Sequence, residues 1–301
     1  MHDEQTNMDL DGDINAAVES IIAIAMAEDQ LDRGDISSHS IIAAATPFAG
    51  IIVGREPCCA ALLEPLAVVI TALECDITMT AAVKEGAWCH GGTILAHVSG
   101  SARDVLSMER SVLNVLTVAC STATMTRRFV DAVAGTKAKI CETRKTLPGL
   151  RAIQKYAVKC GGGHLHRRSL ADAVMFKDNH LADIGLEELP EVVEAAIARA
   201  REDRDLKFAC VEVDSLRQLK RLLTIPAGVI NVILLDNMSL EDLVQAVAMR
   251  DRDGVGIDLE ASGGITLETV QAVAETGVDR ISVGAVTHSV PAVDMALDAS
   301  Q

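Results

Sequence analysis

The sequence predicts an α/β chain in two parts, the second of them an open or partial β/α barrel of six strands. Three observations carry this. Beyond residue 118, short apolar runs alternate with amphipathic stretches of helical period, the rhythm of parallel β/α units. Each run ends in polar or charged groups rather than fading into a loop. Only six of 301 residues are aromatic while 49% are apolar, so the chain can bury a substantial core and that core is aliphatic.

In the first part, INAAVESIIAIAMAED has apolar residues at helical spacing. GDISS breaks that helix. IIAAATPFAGIIVG reads as strand material, CCAALLEPLAVVITAL as a helix and GGTILAHVSG as a strand. Ser101 is placed as an N-cap with Asp104 three residues on. From 101 to 134 there is no Gly or Pro, which predicts one long helix or two joined ones.

In the second part the strand candidates are AKICETR, AVMFKDN, FACVEVD, VINVILLDN, IDLEASGG and RISVGAV. Between them stand LEELPEVVEAAIARA, SLRQLKRLL, SLEDLVQAVAMR and TLETVQAVAETG, each amphipathic. The strand ends carry Arg144 and Lys145, Lys177 and Asp178, Glu212, Asp236, Ser262 with Gly263 and Gly264, and Ser282 with Gly284. In a β/α barrel those ends converge on one face, where active sites sit. A doubly wound sheet shares the rhythm; six strands ending in site chemistry favour the barrel.

Charge narrows the function. The chain is acidic, at −16 formal charge and a pI near 4.9, which argues against a polyanion partner. Scarce aromatics argue against stacking on single-stranded nucleic acid. The eight cysteines include no C-x-x-C and no zinc-finger spacing with histidine, and read as small buried hydrophobes of a reducing compartment. The polar, acidic N-terminus is the opposite of a signal peptide, and no apolar stretch is long enough to span a bilayer. The expected location is the cytoplasm.

Against that acidity, Arg144 to His180 holds eight Lys or Arg and two acids, Asp172 and Asp178. Arg151, Lys155 and Lys159 recur every four residues and fit a solvated helix face. Arg144, Lys145, Arg167 and Lys177 sit at strand ends or beside glycines. Two unit charges about 6 Å apart repel by roughly 3 kcal/mol at an effective dielectric near 20, so such a group implies a multiply charged ligand. Arginine suits planar carboxylates and lysine supplies a point charge. Glu212 and Asp236 end consecutive strands and offer oxygen ligands suited to Mg²⁺, although acids are also common as caps there. ASGGITLE and SVGAVTHS are small-residue turns able to cradle a phosphate. An aromatic acid paired with a Mg²⁺-bound phosphorylated sugar would satisfy all three features.

These residues resemble the quinolinate phosphoribosyltransferase family. The likeness runs from AEDQLDRGDISS (27–38) through ERSVLNVL (109–116), ETRKTLPGLRAIQKYAVKCGGGHLHR (142–167), FKDNH (176–180), VEVD, ILLDNM and EASGGI to GVDRISVGAVTHS (277–289). It implies an N-terminal α/β sandwich over 1–118, a type II phosphoribosyltransferase-like barrel over 119–289 and a tail, 290–301, packed back on the sandwich. It implies transfer of phosphoribosyl from phosphoribosyl pyrophosphate to quinolinate, with loss of CO₂, by a Mg²⁺-dependent homodimer or larger assembly.

The resemblance also implies roles. Arg110 reaches a neighbouring subunit's site. Arg144, His166, Arg167 and Lys177 line the quinolinate site. Lys145 holds phosphate or pyrophosphate, with Glu212 and Asp236 on the sugar hydroxyls and the metal. Ser262, Gly263 and Gly264, with Val283, Gly284 and Ala285, cradle the 5′-phosphate. Three positions depart from the family pattern: Glu142 replaces Asp, Leu165 replaces Asn or Ser, and CST at 120–122 replaces Ser-Gly-Ile.

Two rivals share parts of this pattern. The molybdenum-transport-associated homologue has TRKT and the glycine run but is expected to lack Lys177. A non-catalytic phosphate- or nucleotide-sensing barrel needs the cradle but not Glu212, Asp236 or the arginines. The string Arg33-Gly34-Asp35 is read as a turn, His288 as a cap or strand-end group, and Trp88 as packing.

Overall fold

The computed structural model describes residues 11–300 apart from positions 32, 74, 254 and 255, so most of the acidic N-terminal stretch lies outside the described residues. The chain forms two compact units. Among the described residues, one holds 11–127 together with Thr146–Gly162 and the segment from Val286 on; the other holds Arg128–Lys145 and Gly163–Ala285.

The first unit opens with α1 (Asp11–Gln30) and α2 (Ile36–Ile41), then β1 (Pro47–Gly54), β2 (Cys58–Cys59), α3 (Leu63–Ala72), β3 (Ile77–Ala81), β4 (Trp88–Cys89) and β5 (Ile94–Ser101). α4 (Ala102–Ala132) follows as one uninterrupted helix of 31 residues, with no Gly or Pro to break it. Its buried residues recur at three and four: Val105, Met108, Val112, Leu116, Ala119, Ala123. Helix α2 ends at Ile41, so the strand begins only at Pro47. Asp35 caps α2 by accepting the Ser38 N–H, which gives that aspartate a local structural partner. The Asp104 carboxylate accepts the Asp76 N–H, 3.1 Å away, and ties α4 to the start of β3.

The last residues form an edge strand (Met295–Ala299) antiparallel to β1, with Gly54 opposite Met295. With β1, β5 and β3 it makes a four-stranded antiparallel sheet. Val18, Ile22, Leu66, Ile70, Leu95, Leu113 and Leu116 build the aliphatic core of this unit.

The second unit begins with the end of α4 and then β6 (Lys139–Cys141). Helix α5 (Arg151–Cys160) is counted with the first unit. It corrects one expectation. Lys155 is fully buried beside Gln154 and Ile153, and only Lys159 of the three cations is exposed. The Gln154 amide donates to the Thr287 carbonyl at 2.6 Å and accepts the Leu147 N–H at 2.8 Å, so this polar face of α5 packs inward.

The chain then forms β7 (Val174–Phe176), α6 (Asp178–Leu181), α7 (Leu189–Asp203), β8 (Ala209–Val213), α8 (Leu216–Leu222), β9 (Val232–Asp236), α9 (Leu240–Asp253), β10 (Asp258–Ser262), α10 (Val270–Glu275), β11 (Arg280–Ser282) and α11 (Ala285–His288). With the first unit's edge strand as β12, the count is complete. All six expected strands are present, in one parallel sheet of order β6-β11-β10-β9-β8-β7. The order never reverses, and α7, α8, α9 and α10 pack successively on one another. A doubly wound sheet reverses at a switch point; continuous winding, with the first strand returning to pair with the last, is barrel topology. The break lies between β6 and β7, where His164 bridges to Cys141 alongside β6.

Candidate active site

Register decides what faces the barrel interior. In a parallel ladder, paired residues share a face, and the face alternates along each strand. Cys210 and Glu212 of β8 align with Val232 and Leu234 of β9, and Asp236 follows on the same face. Glu260 aligns with Leu234 on one side and Arg280 on the other, and Arg280 aligns with Lys139. Phe208, Cys210, Val232, Leu234 and Met175 cluster as the apolar floor, which identifies this face as the interior. Barrel interiors are ordinarily Val, Ile and Leu. Here the layer above the floor is charged: Glu212, Glu260, Arg280, and at the rim Asp236, Ser262 and Ser282.

Three of the strand-end cations, Arg144, Arg167 and Lys177, come near this layer. Arg167 is buried, and its guanidinium is held below its ordinary pKa, first by burial and next by the charge of Arg144. The two arginines therefore feel each other, as expected of a site for a dianion. Arg144 is half-buried, and its Nε is shut off from solvent with no hydrogen-bond acceptor. A buried donor left unmet costs about 1–3 kcal/mol, which an incoming carboxylate would remove. Arg167 also lines a cavity of about 450 Å³ with Met175, Phe176, His180 and Arg199.

Lys177, just past β7, forms an ion pair with Glu212 of β8. Lys145 is exposed in the loop after β6, its backbone N–H bound to Thr143 Oγ1 at 3.1 Å. The Asp236 carboxylate accepts the Asn237 side-chain amide at 2.7 Å. Asn237 has φ +52°, and its own N–H donates to the Ser262 carbonyl at 2.8 Å. This left-handed asparagine ties the rim of β9 to the start of the Ser262–Gly264 turn. Gly263 has φ +107°, and a Cβ there would stand 2.1 Å from Asn237 Oδ1, so only glycine fits. Val283, Gly284 and Ala285 follow the adjacent strand β11, where the Val283 N–H donates to the Cys141 carbonyl at 2.8 Å. The two small-residue turns therefore stand on neighbouring strands.

His166 is buried. Its backbone N–H donates to Glu142 Oε1 at 2.8 Å, and Glu142 is itself fully buried. Glutamate at this position thus holds the His166 segment. Leu165 is buried with it. Arg110 is exposed on α4 of the first unit. Trp88 is 40% exposed on β4, so the packing expected of it is partial. His288 meets Ser289 Oγ at 2.6 Å.

Sequence reading assigned no role to Asn237, Glu142, Glu260 or Arg280. The available signal was an acid or arginine inside an apolar strand run, IDLEAS or DRISV, on the same alternation as Ser262 and Ser282. All eight cysteines are free thiols, and six are buried. Burial pushes Cys58 up to about 11 and Cys141 up to about 12, which suits packing and not nucleophilic work. Among the described residues, no group of three or more His, Cys, Asp or Glu is arranged to hold a metal. No helix of the described chain is long and apolar enough to cross a membrane.

Family models match the chain in two consecutive blocks. The quinolinate phosphoribosyl transferase N-terminal domain matches residues 35–120, and the C-terminal domain of the same family matches 122–298. A nicotinate-nucleotide pyrophosphorylase [carboxylating] of Mycobacterium leprae is 41% identical over 285 residues, covering 94% of this chain and 97% of that protein. A probable enzyme of the same name from Bacillus subtilis is 35% identical, over 90% of this chain and 89% of that protein. Among solved structures, nicotinate-nucleotide pyrophosphorylase of Francisella tularensis superposes with TM-score 0.82 at 32% identity, covering 95% of this chain and 97% of the other. The Ehrlichia chaffeensis enzyme gives 0.81 at 35% identity, covering 93% and 98%.

Proposed function

The chain belongs to the quinolinate phosphoribosyl transferase family, and from that premise we propose how its strand-end residues divide the work. The reaction joins quinolinate to phosphoribosyl pyrophosphate and yields nicotinate mononucleotide, pyrophosphate and CO₂, a step of NAD biosynthesis. One observation carries the assignment of the acceptor pocket: Arg144 and Arg167 are held close enough to depress Arg167, while Arg144 Nε waits for an acceptor. The two carboxylates of quinolinate supply that acceptor and cancel the repulsion. Lys177 adds a third cation at the rim.

Donors fit a divalent cation in one way only. Glu212 and Asp236 are hard oxygen donors on the same interior face, two carboxylates rather than a cage. Mg²⁺ typically uses one or two carboxylates together with substrate phosphates, so it would arrive with the diphosphate. When bound, it supplies charge stabilisation for the leaving pyrophosphate. Lys145 adds a positive charge on the leaving group, and the turns at Ser262–Gly264 and Val283–Ala285 hold the 5′-phosphate through backbone N–H groups.

Positioning does the rest. The arginines hold the pyridine nitrogen against the sugar C1, which gains cationic character as the C1–O bond to pyrophosphate breaks. Glu212 and Asp236 tolerate that charge. The nitrogen lone pair forms the new N–C1 bond, and the ring becomes a pyridinium. The adjacent carboxylate then leaves as CO₂, its bonding pair stays on the ring carbon beside the cationic nitrogen, and that carbon takes a proton. No covalent enzyme intermediate is needed.

The enzyme works as a homodimer or larger assembly in which exposed Arg110 completes a neighbour's acceptor pocket. It is a cytoplasmic protein, in keeping with its acidic composition and its free thiols. The test is incubation with quinolinate, phosphoribosyl pyrophosphate and Mg²⁺, following nicotinate mononucleotide and CO₂. Equal amounts of both, abolished by EDTA and restored by Mg²⁺, are expected. Activity that survives EDTA would remove the metal from the proposal. Mixing inactive Arg110→Ala and Arg144→Ala proteins tests the shared site: hybrid assemblies regain activity if Arg110 acts across an interface, and stay inactive if it does not.

A further inference from the structure

The barrel interior holds a buried acid that none of these roles uses. Glu260 lies in the middle of β10, fully buried. Arg280, directly opposite on β11 and 2% exposed, donates its Nε to Glu260 Oε2 at 2.7 Å. Ser282 donates its hydroxyl to Oε1. Burial disfavours the charged carboxylate, and the Arg280 guanidinium and Ser282 hydroxyl that donate to it offset that cost. A buried ion pair seldom adds stability over an apolar pair of the same volume. Its position therefore invites a second role.

His166 supplies one. Its Nε2 faces Glu260 Oε1 at 3.4 Å, a contact long for a hydrogen bond. Its Nδ1 accepts the backbone N–H of Arg167 at 2.8 Å. An acceptor at Nδ1 must be unprotonated, so the ring proton sits on Nε2 and points at the carboxylate. Phe208 meets the ring edge-on, with centroids 5.3 Å apart. Both nitrogens face the protein. Two carboxylates thus control two successive backbone amides: Glu142 takes that of His166, and Glu260, through the His166 ring, fixes that of Arg167. The neighbouring charge of Arg144 acts on the Arg167 guanidinium, and a fixed backbone holds that side chain against it.

We propose that Glu260 is a positioning residue for the acceptor pocket, acting through the His166 ring to fix the backbone of Arg167 and hence its guanidinium. His166 is then an internal strut and not a donor to substrate. The inference rests on the assignment of Arg167 to quinolinate.

The first test is read on the wild-type enzyme. Side-chain ¹⁵N NMR of the wild-type enzyme, with His166 identified by the signal lost in His166→Gln, is expected to show a neutral ring protonated at Nε2. A proton on Nδ1 would overturn the proposal. The second is kinetic. Glu260→Gln is expected to raise KM for quinolinate about tenfold or more while KM for phosphoribosyl pyrophosphate stays within about twofold, as displacement of one anchored arginine requires. The double variant Glu260→Gln/His166→Gln is expected to be no worse than His166→Gln, because residues acting in series do not add. Equal changes in both KM values, or additive losses, would reduce Glu260 to a structural ion pair. A wild-type enzyme with no quinolinate turnover would instead overturn the functional reading beneath it.

Discussion

Lys177 and Glu212 form an ion pair across neighbouring parallel strands, at the rim of the barrel interior. In the proposed reaction these residues serve different substrates, Lys177 the acid and Glu212 the sugar and metal. Each partner holds the other's charge until the substrates divide them. Glu212→Ala is expected to lower kcat about a hundredfold, the scale of removing one preorganised electrostatic group, with KM for quinolinate changed little. Steady-state kinetics with each substrate varied in turn checks this; a loss confined to quinolinate KM would move Glu212 to the acceptor site.

Arg144→Ala removes the buried Nε that lacks an acceptor. Truncating one side of a desolvated charged contact costs about 2–5 kcal/mol, so quinolinate affinity is expected to fall roughly thirtyfold or more. Arg144→Lys is expected to recover little, since a lysine cannot present a planar fork. Unaltered quinolinate kinetics in either variant would sink the assignment.

Gly263→Ala tests the phosphate turn. The residue has φ +107° and a Cβ would strike Asn237 Oδ1. Strain of about 1–3 kcal/mol is expected, read as a lower Tm. Because Asn237 also holds Asp236, KM for phosphoribosyl pyrophosphate should rise with it. A variant of unchanged Tm and kinetics would show that the turn relaxes freely.

Asp279 predicts a pH dependence. Burial raises its pKa, but the Lys137 ammonium at 2.7 Å, the Leu259 N–H and Arg250 outweigh burial and leave it lowered. A carboxylate lowered in the folded state contributes stability above its unfolded pKa and loses it as pH falls through the folded value. Asp279→Asn is expected to cost about 1–3 kcal/mol at pH 7, and the gap to wild type should close below about pH 4. Urea titrations at both pH values measure it; a pH-independent gap would assign the loss to packing.

The thiols give a fifth test. Burial raises Cys58, Cys120, Cys141 and Cys210, and Cys160 is raised by burial and by Glu85. Neutral thiols react slowly, so activity at pH 7.5 is expected to survive brief exposure to iodoacetamide. Rapid inactivation would point to a thiolate at the site.

Local order was legible because it is written in period and composition. The six strand runs, the unbroken α4 and the polar strand ends all follow from alternation, from helical spacing and from the absence of Gly and Pro. The approach of Arg144 to Arg167 and of Lys177 to Glu212 followed too, since parallel strands deliver their C-terminal ends to one side. Spacing alone misread Lys155. A four-residue interval states which side chains share a helix face, not whether that face meets solvent.

Register and burial belonged to the tertiary structure. Glu260 and Arg280 are twenty residues apart, and only the β10–β11 alignment makes them partners. Glu142 finds the His166 amide through the closing of a barrel edge that no local pattern encodes. Side-chain alternation told which residues could face inward. Long-range pairing decided which charges met there, because electrostatic coupling depends on distance and desolvation, and both are set only when distant strands come into register.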